Sequence, residues 1–224
     1  MYFCATIHQN RNQMKRHLAI LLCAMLSVLT SFAQNPIPAH FDECVELMAT
    51  VWRLSGSDEY NRCSVPQYAH EVDSVFAAYK EHPAVQLARQ YQNESGIGYD
   101  AVASYGLHLA VNANGTIVFN DSFLEGSDDS FDRWSEQQKK EFLGTLNDFY
   151  RTSHFHDWYL QQDILYDEVE EAFEAINQHV DYSWFSSYFG SQSGSTFRIV
   201  LSLLVGPNNY GCRSEEHTLN SSHL

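Results

Sequence analysis

The feature that most constrains the fold is an apolar run over residues 197–205, which is rich in branched side chains. A Ser/Gly-rich stretch over residues 186–195 precedes it, and Gly206-Pro207 ends it. A run of this kind between turn signals predicts a strand that is buried on both faces. Such a strand needs a neighbour on each side. The sequence offers at most one hairpin as a neighbour, so we expect further elements to complete the sheet.

Helical periodicity dominates the rest of the chain. A helix is predicted over residues 41–54, with Gly56 as its stop, and another over residues 84–91, ending near Gly96. Two further helices are predicted after S-x-x-Q capping boxes, at Ser64/Gln67 and at Ser135/Gln138. Another is predicted after a cap at Asp100. The last follows from an apolar stripe of Leu165, Val169, Phe173, Ile176 and Val180.

Residues 107–119 give conflicting periods. Alternating apolar residues lie on both sides of the turn signal Asn114-Gly115. This pattern fits a hairpin, and it also fits a helix that leads into a single strand. The fold class expected from all these patterns is α+β, mostly helical, with a few strands.

The charge of the chain is strongly acidic. Residues 34–212 contain 26 Asp and Glu against 9 Lys and Arg. A negative field of this size repels phosphate backbones and anionic lipids, which argues against nucleic acid and membrane surfaces as partners.

The N-terminal residues 1–33 have the order of a secretory signal, with Met14 as the natural start. Lys15, Arg16 and His17 form a basic region, and an apolar run over residues 18–29 follows it. Small residues at Ser31 and Ala33 then suit a cleavage site. The run is too short to span a bilayer. We therefore expect export to the periplasm or the exterior, with no membrane-spanning segment after cleavage.

Three cysteines remain after residue 33, namely Cys44, Cys63 and Cys212. Export permits a disulfide between Cys44 and Cys63. Cys44 also fits the apolar face of the first helix as a buried free thiol. The sequence leaves both possibilities open.

The last twelve residues, 213–224, resemble the translation of a common sequencing adapter. Their polar composition breaks abruptly from the apolar run before them. The expectation is a non-native tail after Cys212, with residues 34–212 as a single truncated domain.

Three patterns come close to metal sites. His70-Glu71 begins the HExxH pattern of zinc peptidases, but Ser74 replaces the second histidine. His154, His156 and Asp157 have suitable ligand types, although their aromatic neighbours favour a packed helix junction. Residues 121–132 resemble a calcium loop without a ligand at the third position, so a solvated acidic loop is favoured. The sequence itself therefore predicts no catalytic residue, metal ligand or cofactor.

Several segments together resemble an uncharacterised family of proteins that Gram-negative bacteria export and that are thought to be similar to zinc metallopeptidases. The segments, spread over residues 40–211, are Val51-Trp52-Arg53-Leu54 with Tyr60-Asn61, Tyr99-Asp100-Ala101-Val102, residues 149–159, and residues 201–211.

This resemblance implies a zinc-binding HExxH helix after the last strand, and peptide or protein substrates. The chain contains no HExxH, so the expected full-length enzyme would bind zinc while this fragment would be inactive. Asn208, Asn209 and Tyr210 are the residues that the resemblance implies at the edge of the substrate cleft. The alternative is an exported, non-enzymatic domain that binds a glycan or peptide on an aromatic surface formed by residues 149–159 and 182–189.

Overall fold

A computed structural model describes residues 37–62, 65–120, 130–189 and 197–212. The predictions for the secretory signal, for Cys63 and Ser64, for residues 121–129 of the acidic loop, for residues 190–196 and for the tail at 213–224 lie outside these ranges. Within them the chain is mostly helical with two small sheets, which confirms the α+β class.

The described residues form nine α-helices, four strands and two short 3-10 turns. In chain order they are β1 (Ala39–Phe41), α1 (Glu43–Ser55), α2 (Asp58–Asn61), α3 (Pro66–Val75), the 3-10 turn Ala77–Tyr79, α4 (Pro83–Ser95), α5 (Asp100–Leu107), β2 (Leu109–Val111), β3 (Ile117–Phe119), the 3-10 turn Phe131–Arg133, α6 (Glu136–Thr152), α7 (Phe155–Gln161), α8 (Asp163–Asn177), α9 (Ser183–Phe189) and β4 (Ile199–Leu201). None of these helices is long and apolar enough to cross a membrane.

The chain divides into two compact units. Among the described residues, the larger unit contains those between Ala39 and Ala172 and those from Ile199 to Cys212, and the smaller unit contains Ile37, Pro38 and those between Phe173 and Arg198. The boundary falls within α8.

Helix α1 is the centre of the larger unit. Asp42 caps it by accepting hydrogen bonds from the backbone N–H groups of Cys44 and Val45, at 3.0 and 3.1 Å. Gly56 ends it in the left-handed conformation (φ 88°), as the sequence predicted. Every residue from Cys44 to Ser55 is buried. The prediction of a single apolar face was therefore too narrow, because neighbouring elements cover this helix on all sides.

Aromatic side chains fill the space between α1, α5 and α6. Trp52 is fully buried and lies 5.7 Å from Trp134 and 5.2 Å from Phe142, between ring centroids, in edge-to-face arrangements. Tyr105 completes the group at 4.4 Å from Trp134. Rings of this size, buried in contact with one another, contribute most of the hydrophobic stabilisation available to a core of this kind.

The two predicted capping boxes had different outcomes. Ser135 and Gln138 form a complete box at the start of α6, which confirms that prediction. Helix α3 begins at Pro66 with Val65 as its cap residue and without a side-chain cap hydrogen bond, which is one residue later than the predicted box requires, while Ser64 itself lies outside the described residues. Proline suits the first helical position because it has no N–H to satisfy there.

Strand β4 is shorter and less buried than the sequence predicted. Only Ile199–Leu201 is extended, all three residues are half-buried, and Phe197 is 56% exposed. Its partner is β1, in parallel register from Ala39↔Ile199 to Phe41↔Leu201. The predicted strand is therefore present, but it is shorter than the apolar run and only half-buried, and within the described residues it pairs with β1 alone. Phe41, predicted as helical, lies in β1 because the helix cap is at Asp42.

Residues 109–119 form the predicted hairpin. β2 and β3 are antiparallel, with Leu109 opposite Phe119 and Val111 opposite Ile117. Helix α5 leads directly into β2, but because β2 pairs with β3 the hairpin is the alternative that is confirmed, and not a helix followed by a single strand. The side chain of Asn147 on α6 fixes the hairpin by bonding both the N–H and the C=O of Ile117, at 2.8 and 2.9 Å.

The stripe predicted for α8 is correct only in its first half. Leu165 and Val169 pack against the core, and the neighbouring Tyr166 is buried. Ile176 is 66% exposed and Val180 lies beyond the end of the helix, 42% exposed. Helical periodicity shows which residues share a face, but it does not show how far along the helix that face is covered.

Candidate functional site

Three of the four segments that carry the family resemblance meet at the short helix α2, namely residues 51–61, 99–102 and 201–211. Arg53 Nη1 donates to the carbonyl of Tyr60 at 3.1 Å, and Asn61 Nδ2 donates to the carbonyls of Arg53 and Ser57 at 3.1 and 2.8 Å. The Tyr60 hydroxyl donates to the carbonyl of Tyr99 at 3.1 Å. These bonds hold α2 against the end of α1 and connect it to Tyr99, 39 positions further along the chain, and together they define one junction.

A bidentate ion pair supports this junction. Arg53 Nε and Nη2 donate to the two carboxylate oxygens of Asp73, at 2.8 and 2.6 Å. The Arg53 side chain is only 8% exposed, whereas Asp73 is 38% exposed. The guanidinium is thereby held in a fixed plane, which orients the nitrogen that bonds Tyr60.

Tyr99 has a strained backbone. Its φ of 53° and ψ of −123° lie in a region that L-residues rarely adopt. Neighbouring residues of α2 hold both of its polar groups, since its N–H donates to Glu59 Oε1 at 3.3 Å and its carbonyl accepts from Tyr60. Strain of this kind costs about 1–3 kcal/mol and persists only where surrounding contacts impose it. Tyr99 is 53% exposed, so the residue with the strained backbone carries an aromatic ring that faces solvent.

Two glycines allow the backbone to approach this junction. A Cβ on Gly98 would lie 2.8 Å from Glu59 Oε1, and a Cβ on Gly206 would lie 2.9 Å from the carbonyl oxygen of Glu59. Gly206 also has a φ of +66°, which favours glycine. The segment after β4 is therefore packed directly on the α2 backbone.

Asp100 anchors the other side of the junction. It accepts hydrogen bonds from Ser130 Oγ at 2.8 Å and from Arg133 Nη1 at 2.5 Å. Burial opposes its ionisation, but the Ser130 hydrogen bond and the Arg133 guanidinium outweigh that effect and hold the pKa of Asp100 below its ordinary value. Asp100 was predicted as the cap of α5, whereas it is the first residue of that helix and Tyr99 is the cap residue.

The predicted cleft-edge residues lie beside this junction. Burial and the nearby Glu59 carboxylate raise the pKa of Tyr210 to about 12. The Asn208 side chain is close to the buried Tyr210 hydroxyl, but no hydrogen bond of normal geometry reaches that hydroxyl from the described residues. Asn208 itself donates to the carbonyl of Val205 at 3.4 Å, and Asn209 is exposed.

A second polar group fixes the chain just before Gly206. Glu46, on α1, is fully buried and accepts from the N–H of Leu203 at 3.0 Å and from the Tyr68 hydroxyl at 3.0 Å. The Tyr68 hydroxyl is 2.6 Å from that of Tyr166. Burial raises the pKa of Glu46, although hydrogen bonds from Ser202, Leu203 and Tyr68 oppose the shift. Glu46 was not among the residues predicted from the sequence, although its carboxylate lies among the apolar residues of a predicted helix, which was the available signal.

Other carboxylates also accept from uncharged donors. Glu43 accepts from the Tyr150 hydroxyl at 2.8 Å, and Glu71 accepts from Trp158 Nε1 at 3.1 Å and Gln162 Nε2 at 2.9 Å. Hydrogen bonds of this kind satisfy a carboxylate without a basic side chain. Carboxylates bound in this way need no Lys or Arg partner, which helps the fold to hold many more acidic than basic residues.

The histidines of the near-metal patterns are separated in the structure. His70 is exposed on α3, and the adjacent Glu71 is engaged by α7. His154 has a φ of 54° at the junction of α6 and α7, whereas His156 Nδ1 lies 2.8 Å from Glu43. The packed helix junction predicted for this segment is confirmed, because Phe155 is fully buried and Trp158 is 5% exposed. No group of three or more His, Cys, Asp or Glu side chains within the described ranges could hold a metal ion.

Cys44 is a free thiol, 3% exposed, in the core. Burial and the carboxylates of Asp42 and Glu43 raise its pKa strongly, so it stays protonated and unreactive. The alternative of a buried helical cysteine therefore describes Cys44, while its proposed partner Cys63 is outside the described residues.

The two segments of the expected aromatic surface differ. In residues 149–159 the rings of Phe149, Tyr150, Phe155 and Trp158 are buried, so that segment forms core. In the smaller unit, Trp184 is 49% exposed and Tyr188 is 79% exposed. Asn177 positions this unit's chain by donating to the carbonyl of Ile37 at 2.7 Å and by pairing with the Tyr182 hydroxyl.

The fold and the junction together define a mostly helical α+β protein without a recognisable catalytic constellation in its described part. No family model matches the chain, and no curated protein or solved structure matches it.

Proposed function

We propose that the larger unit is a non-catalytic part of an exported zinc-peptidase-like protein and that its α2 junction holds the edge of a peptide-binding cleft. In this proposal Tyr99, Asn208, Asn209 and Tyr210 contact the peptide. Zinc is a property of the full-length protein. The described residues do not offer a set of zinc ligands, so no chemical step is assigned to them.

The observation that carries the proposal is the strained, half-exposed Tyr99. Backbone strain is concentrated at binding and catalytic sites, where surrounding structure imposes it. Here the residues that impose it, Glu59 and Tyr60, belong to the same junction that packs against Gly206. An exposed aromatic ring beside uncharged amide side chains suits an extended peptide, which needs apolar contact and hydrogen bonds to its backbone.

The alternative is a non-enzymatic domain that binds a glycan or a peptide through exposed aromatics of the smaller unit. Trp184 and Tyr188 are the observation that favours it, since aromatic rings with one exposed face suit sugar rings and apolar side chains.

Peptide binding by the full 224-residue chain tests the proposal. The probes are fluorescein-labelled casein peptides without net charge, measured by fluorescence anisotropy at ~0.3 M salt, where surface charge is screened. We expect Tyr99→Asn to weaken binding about tenfold, because asparagine tolerates the backbone conformation but removes the ring. No peptide bond should be cleaved.

The matched control is Tyr188→Asn, which removes an exposed ring from the smaller unit. Equal binding by wild type and Tyr99→Asn would contradict the cleft-edge assignment. Loss of binding in Tyr188→Asn alone would favour the alternative, which labelled oligosaccharides then separate into glycan and peptide recognition.

A further inference from the structure

The solvent-facing side of α7 and of the first half of α8 carries two uncovered apolar side chains. Leu160 is 55% exposed and Ile164 is 77% exposed. They are four residues apart, on either side of the buried Gln162 that joins the two helices. Both residues lie in the larger unit. Two large apolar side chains exposed this close together in the sequence mark the α7–α8 junction as a candidate interaction surface.

Carboxylates surround Ile164. At 100° per residue, the exposed positions of α8 fall on the side opposite to the buried Tyr166 and the half-buried Val169. The exposed acidic residues on this side of α8 are Asp163, Asp167, Glu168 and Glu171. None of them forms an ion pair with a basic side chain in the part of the chain that the structure describes.

The sequence contains no Lys or Arg over residues 152–197, so no basic side chain from this stretch of the chain can neutralise this side. We call Leu160, Ile164 and the four carboxylates the acidic face. Any partner that covers Leu160 and Ile164 must also come close to uncompensated negative charge.

We propose that the acidic face binds a cationic amphipathic helix of another protein, in which Lys or Arg flank an apolar ridge. An anionic partner would be repelled, and an uncharged apolar partner would desolvate carboxylates without pairing them. A cationic partner without apolar residues would leave Leu160 and Ile164 in water. Only the combination of apolar ridge and basic flanks matches both features. This inference does not depend on the proposed cleft at α2.

A short helical peptide of Leu and Lys, labelled with fluorescein, is the probe for the full chain. We expect Ile164→Ser to weaken its binding about tenfold, because the variant lacks the apolar side chain that the peptide would bury. The charge of the protein is unchanged by this substitution. The control is Val75→Ser, which removes a 46% exposed apolar side chain from α3 and should leave the affinity as it is. Equal affinities for Ile164→Ser and wild type would overturn the proposal.

A second pair of variants separates the acidic face from the general negative field. Asp167→Asn/Glu171→Gln and Glu81→Gln/Glu94→Gln each remove two exposed carboxylates, the second pair far from Ile164 in the sequence. We expect the first double variant to weaken binding several-fold more than the second, and to reduce its dependence on salt. Equal weakening by the two would mean that only overall charge attracts the peptide, and the proposal would fail.

Discussion

Replacing Gly206 by alanine tests the packing of the segment after β4 on the α2 backbone. Two glycines share the same backbone angle, since Gly96 and Gly206 both have a φ of +66°. Alanine at either position pays for the left-handed conformation, about 1 kcal/mol. The space around them differs. A Cβ on Gly96 meets nothing within 4 Å, whereas a Cβ on Gly206 lies 2.9 Å from the Glu59 carbonyl oxygen and 3.1 Å from that of Arg62.

The difference between the two variants therefore isolates the close approach. Overpacking against backbone costs roughly 1–3 kcal/mol, because a carbonyl cannot rotate away as a flexible side chain can. We expect Gly96→Ala to lower the free energy of unfolding by about 1 kcal/mol and Gly206→Ala to lower it by about 3 kcal/mol.

Urea unfolding of both variants beside wild type, followed by circular dichroism, measures these losses. Unchanged m-values would show that the unfolding transition is the same in all three proteins. Equal losses for the two alanines would refute the reasoning, because residues 206–212 would then not be packed on α2 and the candidate cleft edge would lose its support.

Three further substitutions test the polar contacts. Glu46→Gln should gain stability relative to wild type as the pH rises. Because the pKa of Glu46 is raised in the folded protein, its protonated side chain stabilises the fold at low pH, and ionisation removes this stabilisation as the pH rises. The free energy of unfolding of wild type then falls relative to the variant by at most about 1.4 kcal/mol per pH unit. Urea unfolding at several pH values measures this difference. Asp73→Asn should cost about 2 kcal/mol, because it leaves the guanidinium of Arg53 buried without its carboxylate; thermal unfolding would contradict this if the midpoint did not fall. Tyr99→Gly should raise the free energy of unfolding by about 1 kcal/mol by relieving backbone strain, while peptide binding weakens; a less stable variant would show that the strain estimate is wrong.

The parts of the fold that were predicted correctly are those that depend on contacts between residues close in the sequence. The glycine stops at Gly56 and Gly96 and the capping box at Ser135 each depend on contacts within one helical turn. The hairpin was predicted from a turn signal between two alternating runs. Local chemistry of this kind is legible in a single sequence.

The remaining features depend on contacts between distant residues. Leu203 bonds to Glu46 over 157 positions, and β1 pairs with β4 over a similar separation. Periodicity cannot show that α1 is covered on all sides or that Glu46 and Arg53 have remote partners. The predicted cleft edge at 208–210 came from the resemblance. The strained conformation of Tyr99 had no local signal in the sequence, because contacts with α2 impose it.

The pairing of β1 with β4 has a consequence for how the protein is made. A ribosome adds roughly 5–20 residues per second, so the first strand of the larger unit is made many seconds before its partner exists. Until then the edge at Ala39–Phe41 lacks its partner strand, and the buried Glu46 carboxylate lacks the N–H of Leu203. The nascent chain cannot close its sheet during most of its synthesis. The last residues of the larger unit to be made therefore complete its tertiary structure.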